Sequence, residues 1–164
     1  MNLKIHSELP ERKDWRIGCV GSGFIMSDCH LVAYGKAGFN PVAIASRTQA
    51  NAATCAEAHN IGTVHSTIDQ LLDDESIEVL DLAVPPDNQL EIIKAACARG
   101  TAKGILAQKP LGANYAEAVE AVEACEATGI VLAVNQNMRY DQSVRAGKTL
   151  LENGTIGEPV LATI

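Results

Sequence analysis

Short apolar runs alternate with longer segments of helical period along almost the whole chain. The runs at 15–20, 41–45, 63–65, 77–84, 105–107 and 130–134 are aliphatic, and each stops at a polar or turn-forming cluster, as buried strands do. The run at 77–84 is the strongest of them. Pro85-Pro86-Asp87 ends it, because proline cannot donate to a central ladder. Between the runs, apolar residues recur three or four apart. Residues 25–37 place Ile25, Cys29, Val32 and Ala33 on one stripe and stop at Gly38. Residues 50–59 follow Thr48 as a cap, and a short helix around Ile68, Leu71 and Leu72 follows Ser66 or Thr67. Residues 88–99 group Leu90, Ile93 and Cys97 and end at Gly100. Residues 114–128 start at Asn114, turn Glu117, Glu120 and Glu123 outward and Ala118, Val122 and Cys125 inward, and end at Gly129. Six strands alternating with five helical segments predict an α/β fold. The expected architecture is a Rossmann-type, doubly wound, mainly parallel six-stranded sheet with helices on both faces.

The two ends depart from this pattern. Residues 1–14 read as a polar N-terminal arm, and 15–140 as the domain itself. Residues 141–164 read as a connecting helix, 141–152, followed by a strand at 157–164. That strand is expected to be the first element of a second, substrate-binding domain that is otherwise missing. A lone terminal strand needs a sheet to join, which offers a route to a homo-oligomer.

Composition narrows the picture. A chain of 164 residues points to one domain. Apolar residues make up 47% but aromatics only 4%, so aliphatic side chains must fill the core, as in buried parallel sheets. The net charge of −7 argues against nucleic acid or an anionic membrane as partner. It leaves room for a local anion cradle. Five widely spaced cysteines without a CxxC read as reduced, buried thiols of a cytoplasmic protein. The four histidines form no zinc-ligand spacing with them, so no metal is expected. No apolar run is long enough to span a bilayer, and the opening MNLKIHSELPERKD lacks the apolar core of a signal peptide.

In an open parallel sheet, ligands bind beyond the carboxyl ends of the strands. Gly21-Ser22-Gly23 lies there after the first strand, and Phe24 and Ile25 open the helix behind it. The first glycine permits a sharp turn, the second lets backbone approach a pyrophosphate, and the helix start offers free N–H groups. The third glycine position of the motif is Met26, and a plain strand-turn-helix connection is the alternative. Ser46 stands about 20 residues further on, where an acidic residue would hold a ribose 2′-hydroxyl. Ser46 and Arg47 instead offer a hydroxyl and a cation, which favours NADP, with NAD the alternative; Arg47 as a solvated residue at the helix start is the other reading. Val84, Pro85, Pro86 and Asn88 follow the fourth strand, Gln108 and Lys109 the fifth, and Asn135, Gln136 and Arg139 the sixth. Arg139 can meet a phosphate or a substrate oxygen, or pair with a surface carboxylate. A partly desolvated lysine with a lowered pKa can hold or release a proton at a substrate hydroxyl, and Lys109, held extended by Pro110, is the candidate, with a surface lysine in a turn as the alternative. Asp81, inside an apolar strand, is expected to bond to backbone, and His30 to be a satisfied, half-buried histidine.

The segments GCVGSGFIMSDCHLVAY, AIASRT, LAVPPDNQLEIIKAACARG, ILAQKPLG and VNQNMRYDQSVR fall in the order and spacing of the Gfo/Idh/MocA oxidoreductases. The chain resembles that family over nearly its whole length after the arm. The resemblance implies a nicotinamide-dinucleotide domain followed by a mostly antiparallel α/β domain that binds a sugar-like or cyclitol substrate and mediates oligomerisation. It implies that Lys109, matching the lysine of the family's E-K-P segment, acts at the substrate hydroxyl during hydride transfer. The chain departs from the family in having Gln108 for the glutamate of that segment, Gln89 for a histidine often found after the P-x-x-x segment, and Met26 at the third glycine position. The family's further catalytic Asp and His, which lie in the second domain, have no counterpart. A chain built this way is expected to bind NADP or NAD with little turnover alone. A non-catalytic NAD(P)-binding sensor or partner subunit is the alternative. An S-adenosylmethionine-dependent methyltransferase fits the Q-K-P segment and Ser46-Arg47 poorly.

Overall fold

A computed structural model of the chain describes residues 5–161. The described residues hold six strands: β1 Ile17–Val20, β2 Ala43–Ala45, β3 Thr63–Val64, β4 Val79–Leu82, β5 Gly104–Gln108 and β6 Val131–Asn135. They form one sheet in the order β3-β2-β1-β4-β5-β6, with every pairing parallel. This is the doubly wound order, whose chain reverses direction across the sheet between β1 and β4. Each strand falls within a few residues of its predicted run.

The helices are α1 Leu31–Ala37, α2 Gln49–His59, α3 Ile68–Leu72, α4 Gln89–Arg99, α5 Tyr115–Thr128 and α6 Gln142–Glu152. Helices α1 to α5 cover both faces of the sheet. On one face Met26, Leu31, Ala52 and Cys55 pack against Ile17, Cys19 and Ile44. On the other, Ile93, Ala96, Cys97, Ala121 and Cys125 pack against Val20, Leu80, Leu82 and Ile105. Four cysteines are buried and Cys29 is exposed. Thr67 caps α3 by accepting from the Gln70 N–H, and Asn114 caps α5 by accepting from the Glu117 N–H. Thr48 occupies the cap position of α2, but its side chain makes no capping bond.

Two helices bury a different stripe from the one their spacing predicts. Ile25, Cys29, Val32 and Ala33 are exposed, while Met26, His30 and Leu31 are buried. The cause is local: Ile25–His30 is a π-helix, and the Leu31 N–H bonds back to the Met26 carbonyl. A π turn holds an extra residue, so a 3.6-residue period counted from the glycine turn lands on the wrong face. In α5, Val122 is exposed and Ala121 fully buried. The helix meets α4 where the Cys125 and Cys97 sulfurs lie 3.7 Å apart, and the small Ala121 fits beside that contact.

Contacts group Glu11–Asn135 into one compact unit, and Met1–Pro10 with Gln136–Ile164 into another. In the second unit Asp141 caps α6 by accepting from the Ser143 and Val144 N–H groups, and Arg145 donates to the His6 carbonyl at 3.0 Å. The strand expected at 157–164 is not formed over 157–161, and its last three residues lie outside the described residues. A lone strand has no ladder to complete its backbone hydrogen bonds. Among the described residues, no helix is long and apolar enough to cross a membrane.

The amino-terminal side of the sheet is tied by Glu78, just before β4. Its carboxylate accepts from Lys103 Nζ at 2.7 Å, Arg12 Nη2 at 2.8 Å and the Arg16 N–H at 3.3 Å. The Arg12 guanidinium also sits 3.7 Å from the Trp15 ring centroid. The Lys103 hydrogen bond first, then those of Arg16 and Arg12, lower the Glu78 carboxyl from its ordinary value near 4.5 to about 2. A group depressed in the folded state stabilises fully above its unfolded pKa and loses that contribution as pH falls through the folded one. Glu78→Gln is therefore expected to lower the urea midpoint most at neutral pH. The gap to wild type should close progressively from about pH 4.5 down to about pH 2. Equal gaps at neutral and acid pH would refute this assignment.

Candidate functional site

A cleft of about 710 Å³ opens at the carboxyl ends of β1, β2, β3 and β4, a size suited to a cofactor-scale ligand. Its inner wall is the Gly21-Ser22-Gly23 turn. Gly21 has φ +100°, and a Cβ there would stand 2.5 Å from the Ala83 carbonyl oxygen. Glycine alone fits both the conformation and the space. The turn is pinned on both sides, since the Gly21 N–H donates to the Ala45 carbonyl and the Ala83 N–H to the Val20 carbonyl, each at 2.8 Å. Gly23 differs, because nothing lies within 4 Å of where its Cβ would be. Bare backbone thus faces the cleft beside a helix start whose first amides lack intrahelical partners. This fits an anionic group. Met26, in the third glycine position, is fully buried in the layer beneath, so its bulk points away from the cleft.

Ser46 and Arg47 follow β2 and line the same cleft with Thr48 and Asn51. Val84, Pro85 and Asn88 follow β4 and join them. Sequence reasoning missed Asn51, Ser66, Thr67, Asp69 and Glu91, which also line the cleft. Ser66 was findable: it follows β3 as Ser46 follows β2, and the strand-end rule applies equally. Asp69 is held by Arg99 Nη2 at 2.7 Å.

A smaller hollow of about 290 Å³ shares Gly23, Val84 and Pro85 and adds Phe24, Ile25 and Gln108. Pro86, Lys109 and Asn135 line neither space. Gln136 and Arg139 belong to the other compact unit. Lys109 is exposed at the end of β5 rather than partly desolvated. Its peptide bond to Pro110 is cis. Gln89, fully buried, clamps this turn: its side chain donates to the Pro110 carbonyl at 2.8 Å and accepts from the Gln108 N–H at 2.6 Å.

Asp81 bonds to side chains rather than to backbone. It accepts from His30 Nδ1 at 2.8 Å and from the Tyr34 hydroxyl at 2.7 Å. β4 is a central strand paired to both β1 and β5, so nearby main-chain donors are already used in the ladders. Burial first, then the Asp81 charge, pushes the Tyr34 hydroxyl and the Cys19 thiol well up from their ordinary values. His30 is buried rather than half-buried, and both its ring nitrogens have partners.

A parallel sheet of order 3-2-1-4-5-6 with a glycine turn at its reversal point defines a dinucleotide-binding Rossmann domain. Residues 15–136 match the GFO_IDH_MocA family model, described as an oxidoreductase family, NAD-binding Rossmann fold, and the chain belongs to that family. It is 32% identical over 149 residues to inositol 2-dehydrogenase 1 of Saccharopolyspora erythraea, covering 89% of this chain and 44% of that one. Its fold matches the crystal structure of an NAD binding oxidoreductase from Klebsiella pneumoniae with a TM-score of 0.82 and 28% identity, over 90% of this chain and 41% of that one. A levoglucosan dehydrogenase, solved in complex with NADH and levoglucosan, matches with a TM-score of 0.80 and 29% identity, over 88% of this chain and 41% of that one. The chain thus spans less than half the length of these relatives.

The two glycines predict opposite outcomes. Gly23→Ala should melt like the wild type and weaken dinucleotide binding by about tenfold or more, because its methyl enters the cleft. Gly21→Ala should destabilise the fold by about 1–3 kcal/mol, because its methyl meets the Ala83 carbonyl. Thermal melts with a fluorescence titration of reduced dinucleotide check both. Equal stability of the two variants would contradict the geometry.

Proposed function

We propose that this chain is the dinucleotide-binding part of an oxidoreductase that moves hydride between NADP or NAD and a sugar or cyclitol hydroxyl or carbonyl. The observation that carries this reading is the single cleft that joins the bare Gly21-Ser22-Gly23 backbone to Ser46 and Arg47. The glycine turn suits the pyrophosphate, and the Ser46 hydroxyl with the Arg47 cation suits a 2′-phosphate, which favours NADP. Phe24, Ile25, Val84 and Gln108 around the smaller hollow suit the nicotinamide end. A bound nicotinamide supplies a two-electron hydride acceptor or donor. Lys109, exposed beyond β5, takes the hydroxyl proton when an alcohol is oxidised and returns it when a carbonyl is reduced. The relatives named for inositol and levoglucosan support a polyhydroxylated substrate. Because the chain spans less than half of its relatives' length, it is expected to bind cofactor with little turnover by itself.

Titration of NADPH and NADH by fluorescence tests the reading, with dissociation constants in the micromolar range expected. A folded sample that binds neither would overturn it. Ser46→Asp should weaken NADPH by about tenfold and shift preference toward NADH, since a carboxylate there repels the 2′-phosphate. An unchanged preference would remove the assignment to NADP.

A further inference from the structure

A continuous line of buried and half-buried polar side chains leads to the residue before the exposed Lys109. It runs from the Tyr34 hydroxyl to Asp81, to His30, and on to the Gln108 and Asn135 amides. Asp81 is fully buried and His30 nearly so. The Gln108 carbonyl oxygen accepts from the Lys109 N–H at 3.1 Å, which fixes the amide's orientation. Its NH2 group therefore faces His30 Nε2, at 3.2 Å, and the Asn135 NH2 faces the same atom at 2.7 Å. A ring nitrogen that receives two donors must present its lone pair. The proton then lies on Nδ1, where Asp81 accepts it at 2.8 and 3.0 Å. The titratable groups around the ring are Asp81 on β4 and Tyr34 on α1, with Cys19 of β1 in register beside Asp81. No buried polar side-chain atom of the described residues lacks a partner.

We propose that His30 is a positioning residue: a neutral imidazole, protonated on Nδ1, whose Nε2 lone pair holds the Gln108 and Asn135 side chains and so orients the turn that carries Lys109. Its importance for the reaction rests on the reading of Lys109 as the proton-handling group. The same geometry couples the identity of residue 108 to the histidine. A glutamate there would accept from the Lys109 N–H with one oxygen and leave the other, an acceptor, facing His30 Nε2. The ring would then need a proton on Nε2, and with Asp81 on its other side it would become an imidazolium between two carboxylates. Gln108 is the residue that matches a neutral ring.

The test is nitrogen-15 NMR of the histidine rings in the 164-residue chain, with no cofactor present. In the wild type, His30 is expected to show a protonated Nδ1 and a pyridine-type Nε2 at about pH 7. A protonated Nε2 would overturn the proposal. In Gln108→Glu, His30 should gain a proton on Nε2, and an unchanged ring pattern in a folded sample would also overturn it. His30→Asn keeps a donor for Asp81 but removes the Nε2 acceptor. The Gln108 and Asn135 side-chain amide protons should then exchange about tenfold faster, with the Ile44 amide of β2, in the other half of the sheet from β5 and β6, unchanged. Uniform acceleration at all three sites would mean general destabilisation and would count against positioning. If this variant does not fold, the wild-type ring pattern and Gln108→Glu still decide. Because none of these measurements needs a dinucleotide, failure of NADPH and NADH to bind would remove the proposed function and leave this result standing.

Discussion

Gly21 leaves β1 at φ +100° with the Ala83 carbonyl so close that a Cβ would stand 2.5 Å from its oxygen. This contact sets how tightly β1 and β4 approach where the winding of the sheet reverses, and so where the crevice opens. The Gly21 and Ala83 N–H groups continue the ladders to β2 and β1, which makes the turn an extension of the sheet rather than a loop resting on it. A cradle for a charged group has to be stiff, because a mobile backbone would lose ordering entropy each time it bound. Here the stiffness comes from β1, whose four residues are all buried.

The second constraint is electrostatic. A fully buried carboxylate in a central strand is costly unless donors surround it. Asp81 meets that demand with His30 and Tyr34, both from the helix that starts at the glycine turn. The carboxylate thus ties that helix to β4, and His30 extends the tie to the ends of β5 and β6 through Gln108 and Asn135. Removing a donor from this buried carboxylate leaves it short of a hydrogen bond, at a cost of about 1–3 kcal/mol or more. The dinucleotide cleft and the turn bearing Lys109 are consequently braced by the same helix, one at its start and the other along its buried face.

Much of the architecture was legible in the linear pattern. The run at 77–84 with its two prolines, the capped helix from Asn114 and the glycine stops at 38, 100 and 129 all mark real boundaries. These signals are local, set by backbone conformation within a few residues. The buried face of the first helix was not legible, because the π turn after Phe24 shifts the period. The stripe of α5 was misplaced because the contact with α4 accepts Ala121 and not Val122. Within the site, the turn glycines, Ser46, Arg47, Val84, Pro85 and Asn88 share one cleft, as strand-end polarity implied. Lys109 and Asn135 lie outside it, since their strands end further along the sheet from the β1–β4 reversal.

The sequence by itself determined the alternation of strands and helices, the parallel sheet, the glycine turn and the family, because each is written in short-range spacing and residue type. Tertiary structure alone decided that Met26 goes into the core, that Gln89 clamps the Gln108–Pro110 turn, and that Asp81 bonds to His30 rather than to backbone. Those outcomes join residues tens of positions apart, and no periodicity encodes them. They follow from packing and from the need of buried polar groups for partners, which exist only once the sheet has assembled.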